Sequence, residues 1–246
     1  MMKKLLLALF FISLTAAAVA QDYPVKPIKL VVGFAPAGAA DYVARAMSDA
    51  FAKALGQSVI VENKAGAGSS IAADFVAKAP ADGYTVLIAS PSSISVNPAL
   101  NPKLGYSPKD LAPISKITSS PLVIAASAKS NITSIKELIA QAKRAPGTLN
   151  YASSGNGSAP HLGGALFEQV ANVDMQHIPF RGGAPAIASV IAGDTQLTFG
   201  TPPSVLPMVQ AGRLRGLAVS TRERTALFPD LPGMREAGLP DYAIEF

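Results

Sequence analysis

The sequence of 246 residues contains no cysteine and only two histidines, His161 and His177. The absence of cysteine excludes disulfide bonds, thiolate metal ligands, a cysteine nucleophile and the lipidated N-terminal cysteine of a lipoprotein. The two histidines have no metal-ligand spacing. No Gly-x-Ser-x-Gly elbow follows a predicted strand, and the Gly-Lys-Ser/Thr ending of a Walker loop is missing. We therefore expect no metal, no cofactor and no nucleotide chemistry.

Charged residues are also few. They make up 15% of the chain, and the net charge of +5 comes from Lys and Arg residues that are scattered along it. No run of them reaches the density of a nucleic-acid-binding patch, so we expect no nucleic-acid partner. The hydrophobic fraction of 49% is sufficient for a packed core.

The N-terminus predicts a secretory signal peptide over residues 1–20. Lys3 and Lys4 provide its positive charge, residues 5–14 its apolar segment, and the Ala-Val-Ala sequence ending at Ala20 its cleavage site. The apolar segment is shorter than the roughly 20 residues needed to span a bilayer, which argues against a membrane anchor. We expect cleavage after Ala20 and an exported protein.

Beyond the signal, short apolar runs rich in β-branched residues alternate with amphipathic segments. The predicted strands are residues 28–34, 58–62, 85–89, 149–152, 175–178, 196–199 and 214–219, and the predicted helices are residues 41–55, 71–78, 135–143, 158–170, 185–192 and 204–210. This alternation predicts an α/β protein with mostly parallel sheets flanked by helices.

The alternation is interrupted once, by an extended crossover at residues 122–126. We interpret the chain as two lobes, residues 21–120 and 121–225, joined by crossover strands, with residues 226–246 returning toward the first lobe. The stretch around residues 115–125 is apolar rather than rich in glycine and serine, which suits a hinge better than a flexible linker.

Three connections from a strand to a helix are rich in small residues: residues 35–41, 65–70 and 153–158. Glycine permits close backbone approach and positive φ, and serine and asparagine add neutral donors, so such loops can cradle an anion. These loops leave the carboxyl ends of the strands, which is where ligands of parallel α/β sheets bind. Ordinary tight turns with ordinary caps are the alternative for each loop, but three in one chain favour a ligand cleft between the lobes.

Few side chains qualify for catalysis or ion pairing. Ser153, His161 and Asp174 could form a triad, although their order matches no known one. His161 also fits a first-turn helix residue that packs on the loop or contacts a ligand. Asp41 fits either a helix N-cap or a ligand contact. Arg181 is the best cationic candidate for a carboxylate, with a solvated arginine as the alternative.

At these loops the sequence resembles the periplasmic substrate-binding proteins of the tripartite tricarboxylate transporter family, the Bug-type receptors. The matching segments are VGFAP at residues 32–36 with Asp41, VENKAGAG at 61–68, ADGYT at 81–85, YASSGNGS at 151–158 with His161, HIPFRGGAPA at 177–186 and GRLRGLAV at 212–219. They occur in the family's order over nearly the whole chain after the signal. Ala37, Ala65 and Ser69 depart from the glycine, proline and glycine that are usual there.

The resemblance implies a Venus-flytrap receptor in the periplasm, a monomer that closes on a small organic acid and delivers it to a membrane permease. It implies ligand contacts from the loops around Phe34–Asp41 and Ser153–Ser158. The full set of predicted ligand-binding residues is Phe34, Pro36, Ala37, Gly38, Asp41, Gly68, Ser69, Ser153, Ser154, Gly155, Gly157, Ser158, His161, Arg181, Gly182 and Thr201. The family continues beyond the position of Phe246, so we expect a C-terminally truncated first lobe.

Three other classes stay open on the sequence alone. An α/β hydrolase would need a nucleophile beside a base and would turn over esters or amides. A receptor of an ATP-driven importer would be distinguished by a neighbouring gene for an ATPase. A structural or adhesive surface protein would show no saturable binding of small molecules.

Overall fold

The computed structural model describes residues 22–246, so the predicted signal peptide and its cleavage site lie outside the described residues. Within these residues eight strands form two separate sheets, and helices connect many of the strands. No helix within the described part of the chain has the length and apolarity required to cross a bilayer.

The first sheet has three parallel strands in the order β2-β1-β3. They are β1 (Ile28–Val32), β2 (Val59–Asn63) and β3 (Thr85–Ile88). Helix α1 (Ala39–Leu55) connects β1 to β2, and α2 (Ser70–Ala77) connects β2 to β3. Alternate β1 side chains, Leu30 and Val32, pack against Ala44 of α1 because successive side chains of a strand point to opposite faces.

A compact turn follows β3. Residues 92–96 form a π-helical turn that runs directly into α3 (Asn97–Leu100). This helical segment was not predicted from the sequence. Residues 111–120 then run, mostly exposed, to the second sheet.

The second sheet has five strands in the order β6-β5-β7-β4-β8. They are β4 (Val123–Ser127), β5 (Asn150–Ser153), β6 (Gln176–Pro179), β7 (Leu197–Gly200) and β8 (Leu214–Val219). β5 runs parallel to β6 and β7, whereas β4 is antiparallel to both of its neighbours. The predicted crossover at residues 122–126 is therefore largely a central strand of this sheet.

Helices cover both faces of the second sheet. They are α4 (Ile135–Arg144), α5 (Ala159–Ala171), α6 (Gly183–Ala192), α7 (Pro202–Gln210) and α8 (Met234–Ala237). On one face Ile124, Tyr151 and Phe199 pack with α4 and α5; on the other, Val123 and Ala125 pack with α6 and α7. The alternation along β4 separates these two cores.

The chain passes near the start of β4 a second time at its end. Ser120 and Phe246 exchange backbone hydrogen bonds of 2.6 and 3.1 Å, and Pro121 pairs with Glu245 in an antiparallel bridge. The buried hydroxyl of Ser220 accepts the N–H of Leu122 at 2.8 Å and donates to the carbonyl of Ile244 at 2.5 Å. The outgoing and returning segments thus lie side by side at this point.

Candidate functional site

Loops at the carboxyl ends of strands from both sheets meet in one place. The backbone N–H of Ala35, after β1, donates to the carbonyl of Arg181, after β6, at 3.0 Å. A cleft of about 190 Å³ lies beside this contact. It is lined by Gly33, Gly66, Ala67, Gly68, Ser154, Gly155, Asn156, Pro179, Phe180 and Arg181. Both sheets therefore contribute walls to the cleft.

A larger hollow of about 570 Å³ lies between the β6 edge and α6, lined by Asn150, Ile178, Phe180, Pro185, Ala188, Ser189, Ala192, Asp194 and Thr195. It is open to solvent and belongs to the second sheet alone. The smaller cleft is the better site because it is bounded by both sheets and lies among the helix N-termini, where backbone donors are available.

Glycine is required where the loops from the two sheets touch. A Cβ atom on Gly68 would lie 2.1 Å from the carbonyl oxygen of Asn156, and Gly68 has φ of +57°. A Cβ on Gly157 would lie 2.3 Å from Oδ1 of Asn97. The amide nitrogen of Asn97 donates to the carbonyls of Ala67 and Gly68 at 3.2 and 3.0 Å. Asn97 thus secures one loop while it packs against the other.

The buried carboxylate of Asp41 organises the β1–α1 loop. It accepts hydrogen bonds from the N–H of Ala37 at 3.0 Å, from Arg45 Nε at 2.9 Å and from Asn63 Nδ2 at 2.9 Å. Burial raises the pKa of this carboxyl, but the hydrogen bonds outweigh burial and hold the pKa below its ordinary value of 3.8. Gly38, not Asp41, is the N-cap of α1, so the N-cap alternative for Asp41 is wrong.

Three non-glycine residues of these loops have a left-handed backbone. Ala37 has φ of 62°, Ala67 of 48° and Ser69 of 75°. Two of them, Ala37 and Ser69, are positions at which the sequence departs from a glycine usual in the family it resembles. Left-handed residues with a Cβ are strained, and such strain concentrates at binding loops.

Five helices begin around this region without a side-chain cap: α1 after Gly38, α2 after Ser69, α5 after Ser158, α6 after Gly182 and α7 after Thr201. By contrast, α4 is capped by the hydroxyl of Ser134. Ser69 and Ser158 are almost completely buried, and within the described residues their hydroxyls have no hydrogen-bond partner. Buried polar groups normally have partners, so these two hydroxyls indicate that an acceptor or donor is missing.

The β5–α5 loop is supported from behind by both histidines. Ser153 contacts Nε2 of His177 through its hydroxyl at 2.5 Å, and that hydroxyl accepts the N–H of Gly155 at 3.1 Å. The N–H of Gly157 donates to Nδ1 of His161 at 3.0 Å. Burial lowers the pKa of His161, and burial together with the neighbouring His161 lowers the pKa of His177 to about 4.

The predicted ligand-binding residues fall into five groups. Gly68, Ser154, Gly155 and Arg181 line the cleft, and Arg181 is exposed. Ser69, Gly157 and Ser158 adjoin its loops, and Gly182 packs against Ala35, where its Cβ would lie 2.8 Å from the nitrogen. Phe34, Pro36, Ala37 and Gly38 form the β1–α1 loop; Asp41, Ser153 and His161 support the loops internally; Thr201 lies at the start of α7.

Several residues of this region were not predicted from the sequence: Gly33, Asn63, Asn97, Asn156 and His177. All of these except Asn97 lie inside the matched segments, which was the signal available for them. Asn97 lies in an unmatched turn, and its partners are 27 to 30 residues away.

The triad alternative is not supported by this geometry. Ser153 bonds to His177 rather than to His161, and Asp174 lies in the α5–β6 connection, where its carbonyl accepts the N–H of Gly147. Ser153 is completely buried, which prevents nucleophilic attack on an external substrate. Among residues 22–246 no group of three or more His, Asp or Glu side chains could hold a metal ion.

Two α/β sheets with a glycine-rich cleft between their strand ends define a two-lobe periplasmic binding protein. The comparison with family models makes this specific, because residues 43–244 match the tripartite tricarboxylate transporter family receptor. The chain belongs to this family, whose members are substrate-binding receptors and not enzymes.

Individual relatives agree with this assignment. The chain is 37% identical to protein BugT of Bordetella pertussis over 230 residues, which cover 92% of this chain and 71% of BugT. It is also similar to Rpa4515 of R. palustris with adipate, at 34% identity and a TM-score of 0.88 over 91% of this chain and 75% of that one. MatC of Rhodopseudomonas palustris with bound malate has 31% identity and a TM-score of 0.85, covering 91% and 76%.

Proposed function

We propose that this protein binds a small organic acid in the cleft between its sheets and delivers it to a membrane permease of the tripartite type. The observation that carries the proposal is the set of uncapped helix N-termini around the cleft, together with the partnerless buried hydroxyls of Ser69 and Ser158. Helix N-termini present backbone N–H groups and a partial positive charge, which a carboxylate complements.

Backbone and hydroxyl donors carry most of this binding. The cleft is lined by one basic side chain, Arg181, which is exposed, and the remaining lining is glycine, serine and other uncharged residues. In a site with little water, fixed neutral donors stabilise an anion without a buried ion pair. Arg181 therefore assists at the rim.

The size of the cleft limits the ligand. A volume of about 190 Å³ has room for several water molecules. An acid of the size of adipate or malate, which two structural relatives contain, fits this limit. Because the ligand would contact loops of both sheets only when these are together, binding favours the closed arrangement.

The same proposal includes the setting of the protein. It is exported after cleavage at Ala20 and acts in the periplasm as a monomer, with one lobe in residues 21–120, a second in residues 121–225 and a return crossover from residue 226 toward the first. Periplasmic binding proteins among the solved relatives support this location.

A thermal-shift screen tests the ligand class. The protein is titrated with malate, adipate and a tricarboxylate, and in parallel with adipamide, which has the shape of adipate without its charge. A ligand that binds only the folded state raises the melting temperature with concentration. Stabilisation by an acid but not by the amide supports the proposal, and equal responses contradict it.

Calorimetric titration of variants then tests the binding mode. Ser158→Ala should weaken acid binding by about tenfold or more, because a donor to a buried carboxylate contributes roughly 1.5–3 kcal/mol. Its stability should change little, since the hydroxyl has no partner among the described residues. Ser134→Ala is the matched control: it removes a true N-cap, so it should lower stability by about 1 kcal/mol and leave affinity unchanged.

Arg181→Ala separates the two modes of carboxylate binding. A modest loss of affinity supports binding by backbone and hydroxyl donors. Complete loss, with Ser158→Ala unchanged, would show that a conventional ion pair dominates instead. Arg213→Ala, an exposed arginine in the turn before β8, controls for a general effect of net charge.

A further inference from the structure

The only two histidines of the chain stack on each other behind the β5–α5 loop. The centroids of the His161 and His177 rings are 4.0 Å apart, and the ring planes differ by 22°. His161 lies in the first turn of α5 and His177 in β6. Both rings are half-buried.

His161 holds one end of the loop. Its Nδ1 accepts the N–H of Gly157, which has φ of +72°, so the ring carries its proton on Nε2. A doubly protonated ring would direct an N–H toward the N–H of Gly157. This hydrogen bond therefore exists only while His161 is neutral.

His177 holds the other end of the loop. Its Nε2 is hydrogen-bonded to the hydroxyl of Ser153, and the same hydroxyl accepts the N–H of Gly155. Gly155 lines the cleft, and its backbone lies against Gly68 in the connection between β2 and α2. The two imidazoles thus fix the backbone direction of the loop between Ser153 and Gly157.

We propose that His161 and His177 are a neutral imidazole pair that positions the β5–α5 loop for ligand binding, and that protonation of His161, which breaks its bond to Gly157, releases the loop and weakens binding. This inference rests on the proposed function, because it assigns ligand contacts to that loop. It makes acid sensitivity a property of the binding site itself.

Tyr151 and, behind it, the carboxylate of Glu168 lie near the pair. Tyr151 of β5 faces His177 with ring centroids 5.2 Å apart, and burial raises the pKa of its hydroxyl. The carboxylate of Glu168 of α5 accepts the Tyr151 hydroxyl at 3.4 Å and the N–H of Met175 at 2.7 Å; burial raises its pKa, and Asp174 raises it further. From the helical turn after β3, uncharged Val96 and Asn97 pack at Gly157.

The stacked rings also oppose each other's protonation. Two cations about 4 Å apart repel strongly in a partly buried site. Burial lowers the pKa of His161 below its ordinary value of 6.5. Burial and, to a smaller extent, the neighbouring His161 lower the pKa of His177. At neutral pH both rings are therefore uncharged, as the loop requires.

Four variants separate the hydrogen bonds from the packing. His161→Asn places an oxygen near the position of Nδ1 and cannot be protonated, whereas His161→Phe keeps a ring without an acceptor. His177→Gln and His177→Phe provide the same contrast at Nε2. With malate and adipate as probes at neutral pH, we expect Asn and Gln to retain affinity within a few-fold and the two Phe variants to lose about tenfold or more.

The pH dependence of binding distinguishes this role from a purely structural one, because a purely structural role predicts no dependence on the protonation of His161. The ratio of wild-type Kd to His161→Asn Kd is measured at decreasing pH, because protonation of the probe acid affects both proteins equally and cancels in the ratio. We expect the ratio to rise toward about tenfold per pH unit once the pH falls below the pKa of His161 in the free protein. A constant ratio overturns the proposal.

A measurement on the free protein distinguishes failure of this inference from failure of the proposed function. Nitrogen NMR should show a coupling across the hydrogen bond from the Gly157 amide to His161 Nδ1 at neutral pH and its loss in acid. If no acid binds but this coupling and its pH dependence are present, the proposed function fails and the loop positioning stands. If the coupling is absent at neutral pH, the positioning role is wrong whatever binds.

Discussion

The side-chain amide of Asn63 donates to the carboxylate of Asp41 at 2.9 Å and to the carbonyl of Phe34 at 3.1 Å. Asn63 is the last residue of β2, so this pair fixes the β1–α1 loop to the neighbouring strand. The two cleft loops are therefore supported in different ways, one by a carboxylate and the other by imidazoles.

We predict that Asp41→Asn lowers the free energy of unfolding by about 1.5–3 kcal/mol, the usual contribution of a hydrogen bond to a charged group. The N–H of Ala37 and Arg45 Nε both donate to this carboxylate. The NH₂ group of an asparagine would face one of these donors, and that hydrogen bond would be lost. Urea denaturation measures the effect. Asp49→Asn, an exposed position of the same helix, should change stability by less than about 0.5 kcal/mol. Equal effects at the two positions would contradict a role for Asp41 in the loop.

Gly68→Ala should weaken acid binding by about tenfold or more, because its methyl group would push against the carbonyl of Asn156 and keep the loops apart. Gly56→Ala is the matched control, since Gly56 has a similar φ of +67° but nothing within 4 Å of the new Cβ. Gly56→Ala should lose about 1–2 kcal/mol of stability through backbone strain, and Gly68→Ala at least as much, since its Cβ also meets a carbonyl oxygen. Calorimetry should show the affinity loss only at Gly68, and unchanged binding there would place the ligand elsewhere.

Ala37→Gly should stabilise the protein by about 0.5–1 kcal/mol. A residue with a Cβ costs about 1–2 kcal/mol in the left-handed region, and the greater flexibility of unfolded glycine offsets part of the gain. Denaturant midpoints provide the measurement. Asn172→Gly, at φ of 50° after α5, should have a smaller effect because asparagine tolerates this conformation. A destabilised Ala37→Gly protein would mean that the Ala37 side chain makes a packing contribution larger than its strain.

Acid should destabilise the folded protein through His177. The pKa of His177 is about 4 in the folded protein and 6.5 as its ordinary value, so between these values the unfolded chain binds more protons. The contribution of neutral His177 to the free energy of unfolding is fully present above pH 6.5 and is lost as the pH falls toward about 4. Urea midpoints measured across this window should fall less for His177→Gln than for wild type. Parallel curves would show that His177 does not titrate in this way.

The strand and helix pattern was readable from the sequence because each element has its own hydrophobic period. β8 has the predicted bounds of residues 214–219, and α1 begins two residues before the predicted start of the helix at residue 41. The antiparallel direction of β4 was not predicted, since strand direction depends on neighbours that come much later in the chain. The helical turn at residues 92–100 was not predicted, because Pro91 and Pro98 are unfavourable inside a helix.

The sequence also located the cleft loops but not their internal supports. The small residues around Gly68 and Gly155 indicate close approach of two backbone segments, and Gly68 and Gly155 both line the cleft. The contact from His177 to Ser153 and that from Asn97 to Gly68 join residues 24 and 29 positions apart, and neither leaves a periodic signal. Such contacts arise from the packing of elements on one another, which a linear pattern does not encode.

The position of β4 has a consequence for how the second sheet folds. β4 is the first strand of the second sheet along the chain, yet both of its partners, β7 and β8, follow only after β5, α5, β6 and α6. β4 therefore cannot pair with either neighbour until those segments have folded. The sheet forms through contacts between residues that are distant in sequence. Non-local pairing of this kind slows folding. We therefore expect the assembly of β4 with β7 and β8, rather than formation of any single helix, to set the folding rate of this sheet.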